Sequence, residues 1–329
     1  MRAASIERFG PPEDIRVGEL PPAVPGPTDV LVRVAACTVN PVDTFVRSGL
    51  YRTPAAFPLI LSRDLVGRIE QAGPGARAMG FAPGDPVWCN SLGHGGRQGA
   101  AAEFAVVSAD RLYRVPAGVD PVNLVAAVHP GATAHLALFA HGGLRPGRTV
   151  LVAGAAGNVG AAIVDLAVEA GARVIATASA TDLDYCAALG ADEAFDYRDP
   201  GLAERIRRAA PDGVDLYLDT SGRNDLETAV DLLAYRGRIV LLAGATARPV
   251  LPAGALYMKD GSIAGFVISR ASAADLGEVA RDLNRLLAAG ALRPRSIERR
   301  PLDEIADVHH GIEAGKLHGR RVVLDIADL

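Results

Sequence analysis

Three glycines at a fixed spacing, Gly154, Gly157 and Gly160, are the residues whose type and pattern point most directly to chemistry. A β-branched run precedes them, and a periodic apolar stretch and a second apolar run follow within about thirty residues, the context in which such glycines bind a dinucleotide. Glycine lets the backbone turn sharply off a strand and approach a pyrophosphate, and the next helix offers unpaired N–H groups and a partial positive charge. The pattern predicts a pyrophosphate site at Gly154, Ala155, Ala156, Gly157, Asn158, Val159 and Gly160.

The choice of dinucleotide is expected to depend on the end of the second strand of this unit. Proteins that bind NAD usually carry Asp or Glu there, about twenty residues beyond the glycines, to accept from the ribose hydroxyls. This chain has Ala176-Thr177-Ala178-Ser179 and no acid. Because a carboxylate would repel a 2′-phosphate, its absence favours NADPH over NADH, although Asp182 adds a negative charge nearby.

The composition is that of a folded protein with more than one domain. The chain has 329 residues, 49% hydrophobic and 22% charged, and a net charge of −4, which argues against a nucleic-acid partner. The N-terminal residues lack the apolar core of a signal peptide, and polar residues and a proline interrupt the longest apolar stretch, Val122–Ala140. Three widely spaced cysteines predict neither a disulfide framework nor a zinc lobe. We therefore expect a cytoplasmic protein with no membrane partner and a small-molecule substrate.

The order of elements predicts two kinds of domain. Residues 1–120 consist of short apolar runs between turn-rich segments, which is typical of β structure. From 121 to 266, strands at 149–153, 173–177, 214–218 and 237–242 alternate with helices, so we expect a doubly wound parallel α/β sheet of the Rossmann type. Residues 267–329 end in a helix and a strand that return to the first domain.

Several short segments in this order resemble the zinc-free, zeta-crystallin-like quinone oxidoreductases of the medium-chain dehydrogenase/reductase superfamily. The resemblance covers essentially the whole chain and implies that the β-rich lobe is a GroES-like catalytic domain. Its carriers are Asn40-Pro41-Val42-Asp43-Thr44-Phe45-Val46-Arg47-Ser48-Gly49-Leu50-Tyr51, Arg63-Asp64-Leu65-Val66-Gly67, Pro83-Gly84-Asp85-Pro86-Val87, Glu103-Phe104-Ala105-Val106-Val107, Pro130-Gly131-Ala132-Thr133-Ala134, Leu189-Gly190-Ala191-Asp192 and Gly237-Arg238-Ile239-Val240.

The resemblance also bears on metal content. Zinc-dependent members of the superfamily place a cysteine where this chain has Asn40 and a histidine where it has Arg63, and a third ligand would fall near His129. Zinc prefers thiolate, imidazole or carboxylate ligands. We therefore expect no catalytic zinc and no alcohol dehydrogenase chemistry of the zinc type.

The expected reaction is hydride transfer from NADPH to a quinone or a conjugated enone. Asn40 and Tyr51 are the residues predicted to hydrogen-bond the carbonyl oxygen that gains negative charge. A second enzyme hypothesis is an enoyl-thioester reductase of a biosynthetic pathway, with Tyr51 as proton donor. A hypothesis of another class is a cofactor-binding crystallin-like or RNA-binding protein, which the negative charge disfavours.

The resemblance implies further cofactor contacts and a homodimer. Ser179 and Tyr197 match family positions that contact the 2′-phosphate, and dimers form through an edge strand within Ser262–Ile268. Three departures from the family pattern stand out: Phe45 for a tyrosine, Leu61-Ser62 for Pro-Gly, and Asn158 for a glycine. The remaining positions expected to contact the cofactor are Thr133, Ala243, Phe266 and Val267.

Overall fold

A computed structural model describes residues 1–51, 53–54 and 56–327. The chain forms two compact units, one built from Met1–His129 and Ala271–Leu329 and the other from Pro130–Arg270. The predicted nucleotide domain began at 121 and ended at 266. The division into compact units falls later at both ends, and the helix Pro121–His135 runs across the first boundary.

The first unit is rich in β structure, and its longest strand occupies the middle of a large sheet. That strand, Asp29–Thr38, pairs antiparallel with three others, and its side chains facing the core are valines and small residues. Two short helices begin at prolines, which fit the first helical turn because their missing N–H is not needed there. The elements are β1 (Arg2–Ile6), β2 (Arg16–Glu19), β3 (Asp29–Thr38), α1 (Pro41–Ser48), β4 (Leu59–Ile60), β5 (Asp64–Ala72), α2 (Pro74–Ala78), β6 (Pro86–Cys89), β7 (Phe104–Ser108) and β8 (Tyr113–Arg114).

Helix α3 (Pro121–His135) is apolar on all sides and continues into a π-helical turn, Leu136–His141. By length and composition alone this segment could cross a membrane. In the structure, however, 83% of its most apolar window is buried within the protein, as in the core helix of a globular fold.

The second unit contains a six-stranded parallel sheet with helices between successive strands. The strand order is β11-β10-β9-β12-β13-β14, so the chain moves outward from β9 to one edge and then returns to build the other. This order confirms the predicted doubly wound architecture. The elements are β9 (Thr149–Ala153), α4 (Asn158–Glu169), β10 (Arg173–Ala178), α5 (Leu183–Ala188), β11 (Glu193–Asp196), α6 (Leu202–Ala209), β12 (Val214–Asp219), α7 (Leu226–Leu232), β13 (Leu233–Leu241), α8 (Ala253–Met258) and β14 (Ser262–Gly265).

The last segment of the chain belongs to the first unit. Helix α9 (Ala273–Ala288) begins with a capping box in which Ser272 and Asp275 satisfy each other's backbone N–H groups. Strand β15 (Ile297–Pro301), helix α10 (Ile305–Glu313) and strand β16 (Arg321–Asp325) follow. Because β16 pairs antiparallel with β3, the end of the chain lies beside the strand that leads to Asn40.

Candidate functional site

The glycine loop of the second unit has the geometry of a phosphate cradle. Gly154 leaves β9 with φ +83°, and a Cβ atom there would lie 2.7 Å from Thr220 Oγ1. A Cβ atom on Gly160 would overlap the carbonyl oxygen of Gly154. Only glycine fits these two positions, because both require close backbone approach and the first also requires a left-handed conformation.

The N-terminus of α4 is open to an anion. Gly157 caps this twelve-residue helix with extended backbone and, being a glycine, provides no side chain to cap the N–H groups of its first turn. Those N–H groups and the helix dipole are the features that hold a pyrophosphate. The loop residues therefore fit the phosphates of a dinucleotide.

The end of β10 carries a serine and a buried acid in contact. Ser179 Oγ donates to Asp182 Oδ2 at 2.6 Å, and Asp182 is 5% exposed. Backbone bonding joins this end to that of β11, because Tyr197 N donates to the carbonyl oxygen of Ala178 at 3.0 Å. Ser179 and Tyr197 are thus neighbours, as a shared phosphate contact requires, and the Asp182 carboxylate lies on the serine hydroxyl.

Two arginines flank the Tyr197 ring, and no pattern in the sequence indicates that they lie there. The guanidinium carbon of Arg198 is 4.9 Å from the ring centroid and that of Arg223 is 5.3 Å away. Arg223 lies in the loop after β12, which Asp219 orders by accepting from several N–H groups of that loop, among them Ser221 N at 2.8 Å. Two exposed cations therefore stand beside the position expected to hold a 2′-phosphate.

The remaining predicted cofactor residues lie in three segments of the second unit. Thr133 is half-buried in α3, and the carbonyl oxygen of Ala243 accepts from Asn224 Nδ2 at 3.2 Å. Phe266 follows β14 and stacks on His141, with ring centroids 4.2 Å apart, while Val267 is 42% exposed. Their contact with a cofactor stays a prediction.

The first unit contains a buried polar cluster, here called the Asp64 network: Thr38, Asn40, Asp64, His129 and Arg321. The register of β3 and β5 sets Thr38 opposite Asp64, and β16 brings Arg321 to the same place. Asp64 Oδ2 accepts from Thr38 Oγ1 at 2.6 Å and from Asn40 Nδ2 at 2.7 Å, and Asp64 Oδ1 is 2.8 Å from His129 Nδ1. All five side chains are nearly excluded from water.

Asn40 is held through both ends of its carboxamide. Its Nδ2 atom donates to Asp64, with a longer contact to Asp43 at 3.4 Å, and its Oδ1 atom accepts from Arg321 Nη1 at 3.0 Å. Its backbone N–H donates to Asp43 Oδ2 at 2.7 Å, which caps α1. The predicted donation from Asn40 to a substrate oxygen stays a prediction, and it requires one of these bonds to break.

Burial and opposite charges shape the electrostatics of this region. Burial works to raise the pKa of Asp64, but His129, Arg321 and Thr38 together hold it below its usual value. Burial raises the pKa of Asp43 to about 6, since the opposing effect of Arg63 is smaller. Burial also lowers the pKa of Arg321, and the negative charges of Asp64 and Asp43 oppose this effect only in part.

Tyr51 and Arg63 are neighbours in the same unit, and Arg63 lines a small pocket there. The Arg63 guanidinium carbon is 5.7 Å from the Tyr51 ring centroid, and Tyr51 packs partly buried against the core. Arg63 follows Ser62, whose φ of +66° is the left-handed conformation that glycine adopts most easily. The family pattern has glycine at this position, and Ser62 of the Leu61-Ser62 departure adopts the conformation that glycine favours.

These side chains do not fit a zinc ion. A guanidinium has no lone pair to donate, so Arg63 cannot be a ligand. The Asn40 oxygen faces the Arg321 cation, and His129 points Nδ1 at a carboxylate. Within residues 1–51, 53–54 and 56–327, no group of three or more His, Cys, Asp or Glu is arranged to hold a metal. The positions that hold zinc in zinc-dependent members carry an ionic network in this chain.

A β-rich unit, a doubly wound parallel sheet and a glycine loop at its first crossover define a dinucleotide-binding oxidoreductase. Two family models match the chain: "Alcohol dehydrogenase GroES-like domain" over residues 26–117 and "Zinc-binding dehydrogenase" over residues 158–285. The first supports the predicted GroES-like nature of the β-rich lobe.

Curated relatives agree over the full length. The chain is 31% identical to the quinone oxidoreductase of Mus musculus, across 98% of this chain and 97% of that protein, and 32% identical to that of Pseudomonas aeruginosa, across 96% and 97%. It therefore belongs to the quinone oxidoreductase family of medium-chain dehydrogenases/reductases. It is also 36% identical to a segment of erythronolide synthase EryA2 from Saccharopolyspora erythraea, which matches 80% of this chain and 7% of that protein.

Solved structures show the same fold. An NAD-dependent alcohol dehydrogenase superposes with a TM-score of 0.86 at 31% identity, across 99% of this chain and all of the other. A quinone oxidoreductase of Pseudomonas syringae gives 0.87 at 27% identity, across 98% and 99%. A mycobacterial protein complexed with NADPH gives 0.85 at 28% identity, across 99% of each chain.

Proposed function

We propose that this oxidoreductase uses NADPH to reduce quinones or conjugated enones without a metal ion. The observation that carries the proposal is the pair of arginines on Tyr197, joined to a glycine loop that fits a pyrophosphate. Two guanidinium charges outweigh the single carboxylate of Asp182, so the neighbourhood favours a 2′-phosphate over a bare ribose. The NADPH complex of the mycobacterial relative supports the same choice.

The bound cofactor would supply a hydride, which is two electrons and one proton. Quinones and enones suit a site without a Lewis acid, because the negative charge that they gain spreads by conjugation onto a carbonyl oxygen. The chain's task is then to hold that oxygen and to provide or admit a proton. Tyr51 lies next to Arg63, and its phenol can donate a hydrogen bond or transfer a proton.

The match to part of erythronolide synthase favours a second candidate, an enoyl-thioester reductase of a biosynthetic pathway. Here Tyr51 would protonate the reduced thioester. The two candidates differ in how much they need this proton, because the monoanion that a quinone forms on accepting a hydride is stabilised by resonance and takes its one proton from water.

Tyr51→Phe distinguishes these candidates. The measurement is NADPH oxidation against a panel of benzoquinones, alkenals and crotonyl thioesters. An enoyl reductase should lose about a hundredfold in turnover on thioesters, the usual effect of removing a principal oxyanion or proton contact, and a quinone reductase should lose much less. Tyr113→Phe is the matched control, since the buried Tyr113 hydroxyl has no hydrogen-bond partner among the described residues. The proposed function would be contradicted if no substrate of the panel supported NADPH oxidation, or if the protein bound NADH more tightly than NADPH.

A further inference from the structure

Arg63 is a buried cation whose hydrogen-bonding capacity is poorly used. It is 3% exposed, yet its contacts are long: Nε is 3.7 Å from Asp43 Oδ1 and Nη1 is 3.4 Å from the carbonyl oxygen of Leu92. Arginine carries five N–H donors and cannot lose its charge at ordinary pH. A buried guanidinium is normally paired closely, so these long contacts leave donor capacity unused.

A pocket lies beside Arg63, which is one of the residues that line it. Arg63 lines this pocket together with Asp43, Thr53 and Gly93. A Cβ atom on Gly93 would lie only 3.8 Å from Arg63 Nη2, so the absence of a side chain there leaves space in front of the cation. The pocket has room for about one water-sized group, so it suits the carbonyl oxygen at the end of a larger molecule.

The backbone next to Arg63 is held in place from both sides. Ser62 has φ +66°, and the carbonyl oxygen of Arg63 accepts from Leu92 N at 3.0 Å. A non-glycine residue in this conformation persists only where its surroundings fix it. The fold therefore fixes the backbone that carries the Arg63 side chain.

We propose that Arg63 binds the substrate's carbonyl oxygen and stabilises the negative charge that it acquires on reduction. This assignment rests on the proposed function. The substrate accepts a hydride from the reduced nicotinamide at a conjugated carbon or at a quinone oxygen, and the new electron pair moves onto the carbonyl oxygen opposite Arg63. The oxyanion is then neutralised by one proton from Tyr51 or from water, which gives the reduced substrate and oxidised cofactor.

The placement of Tyr51 supports this arrangement. Its ring centroid lies 5.7 Å from the Arg63 guanidinium carbon, so a phenol stands next to the cation that lines the pocket. A guanidinium and a phenol together resemble the donors that stabilise oxyanions in other enzymes, with the difference that one of them is permanently charged. Asn40, whose carboxamide is bonded at both ends, is then a positioning residue that holds Asp43 and Asp64 in place.

The test uses 4-nitrophenol, a one-ring oxyanion analogue whose phenolate absorbs visible light and whose phenol does not. The full-length protein in excess is titrated with acid and base, and the absorbance reports the apparent pKa of the bound dye. A cation within a few ångströms lowers an acid's pKa by about 1 to 3 units, so the wild type should prefer the phenolate at least about tenfold. No cofactor is needed, so this readout is separate from catalysis.

The informative variants are Arg63→Lys and the charge-balanced double variant Asp43→Asn/Arg63→Gln. The lysine variant keeps the charge and should retain part of the phenolate preference. The double variant avoids leaving a buried carboxylate unpaired, which would endanger folding, and should lose the preference entirely. The control variant Asp29→Asn/Arg97→Gln removes another ion pair of this unit, in which the two charged groups are 3.0 Å apart. This variant should retain the preference for phenolate.

Circular dichroism establishes that each variant is folded. A folded Asp43→Asn/Arg63→Gln variant that still prefers phenolate as the wild type does would overturn the proposal, and so would a wild type without preference. In turnover assays the same variant should lose about a hundredfold in kcat, with little change in the Kd of NADPH. The two proposals can fail separately. If no substrate supports NADPH oxidation but the preference for bound phenolate still depends on Arg63, the proposed reaction is wrong and the proposed oxyanion site is supported.

Discussion

Replacing Arg223 by alanine should weaken NADPH binding and leave NADH binding unchanged. Arg223 is exposed in the loop after β12, and its guanidinium lies over the Tyr197 ring at 5.3 Å from the centroid. NADPH differs from NADH only in the 2′-phosphate, so a cation that recognises this group affects one cofactor and not the other. The ratio of the two dissociation constants therefore isolates the effect.

The magnitude follows from the exposure of the side chain. A hydrogen bond to a charged group contributes about 1.5 to 3 kcal/mol, and solvent screening at an exposed position reduces this toward 1 kcal/mol. We expect about 1.4 kcal/mol for Arg223, a tenfold rise in the Kd of NADPH. Because Arg198 flanks the same ring at 4.9 Å, the double variant Arg198→Ala/Arg223→Ala should lose about a hundredfold.

The assay is isothermal titration of each variant with NADPH and with NADH at two salt concentrations. The loss for NADPH should shrink at high salt, since exposed charges are screened. Arg205→Ala is a matched control, because Arg205 also stacks on an aromatic ring of this unit, with its guanidinium carbon 4.7 Å from the Phe195 centroid. Equal losses for the two cofactors, or an unchanged Kd for NADPH, would refute the reasoning.

Two further predictions concern acid stability and assembly. His309 is fully buried, neither of its ring nitrogens has a partner among the described residues, and burial lowers its pKa to about 3. Because the unfolded histidine takes up a proton first as the pH falls, the wild type should lose about 2 kcal/mol of unfolding free energy relative to His309→Leu between pH 6.5 and about pH 5, measured by urea denaturation. The second expectation is a homodimer through β14, an edge strand with the exposed residues Tyr257 and Met258 close by in sequence, so Tyr257→Asp/Met258→Asp should reduce the mass in light scattering to that of a monomer.

Each of these predictions has a control and a contradicting result. His310→Gln changes the neighbouring histidine, which contacts Glu13 and is half exposed, and should not alter the pH dependence. Parallel pH profiles for the wild type and the His309 variant would contradict the burial argument. Val24→Asp, on an 83% exposed side chain of the other unit, should leave the dimer intact. A monomeric wild type at micromolar concentration would rule the dimer out.

The fold was predictable because its signals are local and repeated. The alternation of strands and helices from Thr149 onward predicts a parallel sheet, and the structure confirms it. Two errors came from weak local signals. The strand predicted at 237–242 begins earlier, at Leu233, directly after α7 ends at Leu232. Strand β11 and helix α6 were not predicted, because β11 has only four residues and mixes charged with apolar side chains.

The site was predictable only in part. The glycine loop is a contiguous motif, so its residues could be named from spacing. The arginines on Tyr197 come from two different crossovers that the sheet brings together, and nothing in their spacing indicates this. The Asp64 network likewise joins β3, β5, α3 and β16, so Arg321, far away in the chain, could not be linked to Asn40 without the antiparallel pairing of β16 with β3.

The two buried arginines near Asn40 differ in how completely they are bonded, and this difference indicates their roles. Arg321 makes three bonds of ordinary length, to the Ala126 carbonyl at 2.9 Å, to Asn40 at 3.0 Å and to Thr38 at 3.1 Å. Most of its N–H donors are therefore already used within the protein. Because removing Arg321 would leave the buried negative charge of Asp64 with less compensating positive charge, we infer that its role is to hold the network together. Arg63 has the same charge and burial but contacts of 3.4 and 3.7 Å and an open pocket. A fold that buries a cation without pairing it closely keeps that cation available for an anion that arrives later, and in a reductase that anion is the oxygen of the reduced substrate.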